Sequence, residues 1–125
     1  MPGFLPHFIV GNILFFFGWQ YIKTFLKKDF TRREYLLLYV VCIFGSIIPD
    51  FPLGLYYLFN ISTFDSLLRY HIFLHLIISP LAVGFFIILN VIGNVRKKPI
   101  WIFGVLSVII HVLMDATIEE MGVWI

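Results

Sequence analysis

The chain has 125 residues, room for one domain (1–125) and no more. It is 61% hydrophobic and 13% charged, with a mean hydropathy of +0.98, against about 45–50% apolar and about 25% charged residues in a soluble domain. That excludes an ordinary water-soluble fold and predicts an all-α, polytopic membrane protein. The net charge of +2 excludes little by itself, because where the charges fall matters more than their sum.

A helix needs about 20 apolar residues to cross the hydrocarbon. The first apolar segment covers 4–26. It has no Lys or Arg before it, no small-residue cleavage site and too long a run for a signal peptide, so it is predicted to stay as the first span. The polar stretch "KKDFTRRE" (27–34) follows. The second segment, 35–49, is short and stops at Pro49. It contains Cys42, the single thiol, which cannot form an intrachain disulfide and reads as a small core residue. "FPLGLYYLFN" then continues as a kinked helix or lies in the interface, because Pro49 and Pro52 oppose a smooth helix. An "NIS" sequon stands at 60–62. The third segment, 67–93, contains Pro80, which membrane helices tolerate. "NVRKKP" (94–99) leads into the fourth, 100–118. The expected architecture is a bundle of four transmembrane helices.

Seven basic residues lie in two connections: Lys27, Lys28, Arg32, Arg33, Arg96, Lys97 and Lys98, with Lys23 nearby, while 50–66 has none. Both basic connections follow spans that enter from the same side, so they share a face of the membrane. The positive-inside rule puts that face in the cytoplasm, and both termini and 50–66 on the outer side of the cell (inner) membrane.

The polar residues inside the apolar runs are the four histidines, His7, His71, His75 and His111, with Asp50 and Asp115. Counted from the basic end at 1.5 Å per residue, His7 lies roughly 28 Å up, Asp50 22 Å, His75 28 Å, His71 33 Å, His111 17 Å and Asp115 22 Å. All six fall toward the outer side of a core about 30 Å thick. Residues i and i+4 share a helix face, so His71 pairs with His75, and His111 with Asp115, Glu119 following one turn on. His-x₃-His and His-x₃-Asp each offer two ligands to one ion, and imidazole with carboxylate suits zinc and other divalent first-row metals.

Taken singly, each residue has a plainer reading. His7 is an interfacial histidine, Asp50 ends a helix in water, Asp115 and Glu119 are solvated at a helix exit, and His71 and His75 are interfacial neighbours of Arg69 and Tyr70. Taken together they favour a shared polar site. Intramembrane ionisable groups cost about 2.5–3.5 kcal/mol each on insertion scales and usually face the bundle interior.

"PHFIVGN", "GSIIPD", the histidine pair and the late "HVLMD" together resemble the predicted membrane-bound metal-dependent hydrolases (the LexA-regulated group). That family is similar in ligand order to zinc-dependent phospholipase C. The resemblance covers nearly the whole chain, with one departure. The family's His-Arg-Gly-x-Thr-His segment reads "RYHIFLHLIIS" here: the basic residue precedes the pair, Gly and Thr are missing, and the histidines are four apart. The resemblance implies His7, Asp50, His75, His111 and Asp115 as ligands or near-ligands, with His71 beside them.

The leading expectation is a hydrolase that uses a divalent metal, most plausibly zinc, to activate water. Asp50 or Asp115 would ligate the ion or take the proton, and Arg69 would hold an anionic group. A membrane lipid carrying a phosphoester is the expected substrate, and no nucleic acid is expected as a partner. "GVLSVI" and "FGSII" are not the G-x-S-x-G elbow of a serine nucleophile. The alternatives are a metal- or bis-His haem-binding bundle and a small structural membrane subunit.

Overall fold

The computed structural model describes the backbone of residues 4–51 and 64–117 and the side chains of 5–51 and 75–117. The sequon, the 52–63 stretch, Glu119 and the side chains of Arg69 and His71 lie outside the described residues. Four main helices run in order among the described residues: α1 (Phe4–Gln20), α2 (Arg32–Ile47), α3 (Phe64–Ile92) and α4 (Lys98–Thr117). No strand occurs among the described residues.

Helix α1 does not end in a normal turn. It widens into a π-helical turn over Tyr21–Phe25, and the chain then reverses through Lys27, whose φ of 48° is left-handed. Helix α2 starts at a capping box. The Thr31 hydroxyl accepts from the Glu34 N–H, and the Glu34 carboxylate accepts from the Thr31 N–H at 2.7 Å. This satisfies two backbone donors that the first turn would leave open, and it starts the helix three residues before the predicted 35. The α-helix ends at Ile47, and a 3₁₀ turn, Ile48–Asp50, carries the buried Pro49 and delivers Asp50. Pro80 lies inside α3, which stays helical through it.

Helix α4 is central. It packs against α2, α3 and α1, while α1 also packs on α2. Small residues set the closeness. A Cβ on Gly45 would overlap the Ser107 hydroxyl, and one on Gly104 would come within 2.8 Å of Phe86 and Val41. Leu38, Val41, Cys42, Phe86, Ile100 and Val108 fill the interior. Large apolar side chains, among them Phe17, Leu36, Phe44, Leu76, Leu81 and Val91, point outward instead. Apolar side chains spread over the outside in this number are compatible with helices that face lipid.

The expectation of four spans is met in part among the described residues. Three helical stretches are long and apolar enough to cross a membrane: Leu5–Phe25, His75–Ile92 and Val95–Thr117. Helix α2, with 16 residues, is about 24 Å long, less than the hydrocarbon thickness.

The two basic connections do meet at one end. Arg96 donates from Nε to Glu34 Oε1 at 2.6 Å and from Nη2 to Glu34 Oε2 at 3.0 Å. Its Nη2 also donates to the Asp29 carbonyl at 2.6 Å, and its guanidinium sits 5.8 Å from the Phe30 ring centre. The Arg96 fork, and after it the Thr31 N–H, hold the Glu34 carboxyl down at about 2 from an ordinary 4.5.

Candidate metal centre

At the opposite end, each helix contributes to one cluster. His7 comes from the first turns of α1, Asp50 from the 3₁₀ turn after α2, His75 from α3, and His111 and Asp115 from successive turns of α4. His7 and His111 are essentially fully buried. His7, Asp50, His111 and Asp115 each present one ligand atom, and these atoms lie within 4.8 Å of one another, which makes a group able to hold a metal ion. His75 closes the cluster, its Nε2 3.0 Å from Asp115 Oδ2.

Asp115 is the hub. Its oxygens lie 3.2 Å from His7 Nε2, 3.0 Å from His75 Nε2 and 3.1 Å from His111 Nε2. Asp50 is looser, at 3.3 Å from His7 Nε2, 3.7 Å from His111 Nε2 and 4.0 Å from His75 Nδ1. Four ligands held about 2.05 Å from a tetrahedral ion are spaced about 3.3 Å from one another. The shorter N···O separations cluster around that edge length.

The hydrogen bond of His111 decides how to read the cluster. Its Nδ1 lies 2.6 Å from the Ser46 carbonyl oxygen. A carbonyl only accepts, so Nδ1 carries the hydrogen and donates. In the neutral ring Nε2 is then a bare lone pair, and it faces carboxylate oxygens. His111 Nε2 has no donor among the described residues, whereas His7 and His75 lie close enough for an Nε2–H to donate to Asp115. Two acceptors at this distance, away from water, need a cation or a proton between them.

Two carboxylates carry −2. One divalent ion would cancel that and leave three neutral imidazoles, and two protons, one of them shared between His111 Nε2 and Asp115, would cancel it as well. The donor set fits a divalent metal, and the Ser46 carbonyl would then be the outer partner that orients a ligating histidine.

The close ring packing bears on haem as well. His75 and His111 are stacked and His7 lies tilted on His111, which leaves no room for a porphyrin between any of these rings and His111.

Of the expected site residues, the structure brings His7, Asp50, His75, His111 and Asp115 together. The backbones of His71 and Arg69 lie in α3, four and six residues before His75, and their side chains are outside the described residues. Ser46 is the residue that sequence reading missed. It acts through its backbone carbonyl, which any residue type possesses, so nothing in the sequence marks it. Comparison of the chain with protein-family models, with curated proteins and with solved structures finds no match.

Proposed function

We propose that the protein is an integral-membrane, metal-dependent hydrolase of phosphoesters, with four helices crossing the bilayer and zinc as its metal. The observation that carries this reading is the convergence of three imidazoles, from three helices, on the Asp115 carboxylate, with Asp50 beside the same imidazoles. Helix α2 with its 3₁₀ turn, from 35 to Asp50, is the fourth crossing, with basic residues at one end and the metal centre at the other.

His7, His111 and Asp115 are the ligands of choice, since they are the most buried of the five, and His75, at 3.0 Å from Asp115, completes the set. A zinc ion held there would act as a Lewis acid and bring the pKa of a water to about 7. Asp50, the more loosely held carboxylate, is the group to accept the water's proton. Arg69, roughly 9 Å along α3 from His75, is the cation for a phosphate. The substrate follows from the surroundings. Between α2 and α3 lies a cavity of about 290 Å³ lined only by apolar side chains, Phe44, Ile48, Ile78, Leu81, Phe85 and Phe86 among them. Ile48 stands two residues from Asp50 and Ile78 three from His75, so a lipid chain in this cavity has its headgroup beside the centre.

The test is elemental mass spectrometry of the detergent-purified protein beside His111→Ala and Asp115→Asn, followed by phosphate-release assays on phosphoester lipids in nanodiscs. Near-stoichiometric zinc, absent from both folded variants, with activity lost on Asp50→Asn, is the expected result. No metal after reconstitution with zinc or manganese sinks the reading and leaves a structural subunit. Metal without hydrolysis leaves a metal-binding protein.

A further inference from the structure

The basic end of the bundle carries a second cavity, which the metal centre does not use. It has a volume of about 430 Å³ and lies between the end of α1 and the start of α4. Tyr21, Ile102, Phe103 and Leu106 form its apolar wall, and Lys28 and Lys98 stand at its rim.

Local structure explains why both lysines line it. The π-helical turn of α1 closes with the Leu26 N–H on the Tyr21 carbonyl and the Lys28 N–H on the Ile22 carbonyl, at 3.1 and 3.2 Å. The left-handed Lys27 between them turns the chain back, which places Lys28 against the cavity while Lys27 stays exposed. On the other wall, Lys98 opens α4, whose first turn contains no acid. The helix N-terminus therefore adds uncompensated positive potential beside the ammonium group. Neither ammonium forms an ion pair with any described residue, whereas Arg96 nearby is fully engaged by Glu34 and Asp29.

The spacing along α4 then identifies an occupant. Lys98, Ile102 and Leu106 recur every four residues, so they lie in one stripe, a cation at the membrane edge followed by about 12 Å of apolar surface running inward. A soluble anion would use the charges and leave the stripe empty. A zwitterionic lipid would use the stripe and gain little from two cations. We infer that this cavity binds one anionic phospholipid, with its phosphate between Lys28 and Lys98 and an acyl chain along Ile102 and Leu106.

Native mass spectrometry tests this on the full chain in detergent, titrated with dioleoyl phosphatidylglycerol or dioleoyl phosphatidylcholine. One phosphatidylglycerol is expected to bind in preference to phosphatidylcholine. Lys28→Gln and Lys98→Gln should each weaken it about fivefold, and Leu106→Trp, which fills the cavity and keeps both charges, should remove it. Lys27→Gln with Lys97→Gln, on exposed neighbours in the same loops, should leave binding unchanged. Glycerol 3-phosphate should not compete. Equal binding of the two lipids, or equal loss from the Lys27/Lys97 pair, would mean diffuse surface attraction and overturn the site. Displacement by glycerol 3-phosphate would reduce it to a free-phosphate site. Wild-type binding by Leu106→Trp would remove the acyl-chain assignment. A melting curve accompanies each variant. Where a glutamine variant does not fold, Lys28→Arg with Lys98→Arg, expected to keep binding, and Leu106→Trp, expected to lose it, carry the test.

Discussion

Among single residues, His111 carries two jobs that mutation can separate. Its Nδ1 satisfies the Ser46 carbonyl in the interior, and its Nε2 faces Asp115. His111→Ala should therefore lower stability even with metal stripped away, because a buried carbonyl left without a donor costs about 1–3 kcal/mol. Asp115→Asn keeps the volume and the Ser46 bond, so it should abolish metal binding at a smaller stability cost in the stripped protein. Ser46→Ala removes a hydroxyl that bonds only the Cys42 carbonyl one turn back, and it keeps the carbonyl that His111 uses. It should leave metal content unchanged. Denaturation in mixed micelles with and without chelator, alongside elemental analysis, reads all three. Metal loss in Ser46→Ala would contradict the role given to the backbone carbonyl. The sequence made the ligand-type residues legible, since His111 and Asp115 have helical i,i+4 spacing and Asp50 ends an apolar run. The proton on His111 Nδ1 was hidden, because it depends on a carbonyl from another helix.

Between elements, closeness and capping can each be tested. Gly45 and Gly104 let α2, α3 and α4 approach, and an added Cβ would meet the Ser107 hydroxyl in one case and Phe86 with Val41 in the other. Gly45→Ala should cost about 1–3 kcal/mol through overpacking. It should also loosen metal binding, since the same helix pair aligns Ser46 with His111. Gly84→Ala, where nothing lies within 4 Å of the added Cβ, should be neutral or stabilise by about 0.5–1 kcal/mol through helix propensity. A Gly45→Ala protein that melts with wild type would show that the helices have slack there. At the basic end the capping box was readable as "TRRE", and Thr31→Ala should cost about 1 kcal/mol. The partner in that box has a pH signature. Because the folded Glu34 carboxyl sits at about 2 against 4.5, its contribution to stability is full above about pH 4.5 and is lost as pH falls toward 2. Arg96→Gln removes the main cause of the depression, so the variant should be less stable at neutral pH and should lose less on acidification. A melting series from pH 6 to pH 2 checks the sign: wild type and variant should converge at the acid end. That Arg96 pairs with Glu34, 62 positions away, could not be read from the sequence, which showed only that both loops were basic and on one side.

For the whole molecule, the apolar runs made the helices legible and the Lys/Arg bias made the basic end legible, because both are properties of local composition. The convergence of the site depends on how each helix is rotated about its axis, and that is set by contacts such as Gly45 on Ser107 that no local pattern encodes. On the proposed function, the stability of the bundle depends on the ion. The centre holds two carboxylates and three imidazoles, with His111 Nε2 and Asp115 Oδ2 3.1 Å apart. A metal that binds only the folded chain stabilises it by mass action, about 2.7 kcal/mol at a free concentration 100 times the dissociation constant. Adding zinc to metal-free protein should therefore raise the melting temperature progressively, without a plateau at one equivalent, and chelator should reverse it. Asp115→Asn should melt at the same temperature with or without zinc. The basic-end variants Thr31→Ala and Arg96→Gln should start lower and still gain the full zinc increment, because the two ends of the bundle share no polar contact among the described residues. Loss of the increment in those variants would mean that the loop clamp and the metal centre form one cooperative unit, and that metal content alone reports on the whole bundle.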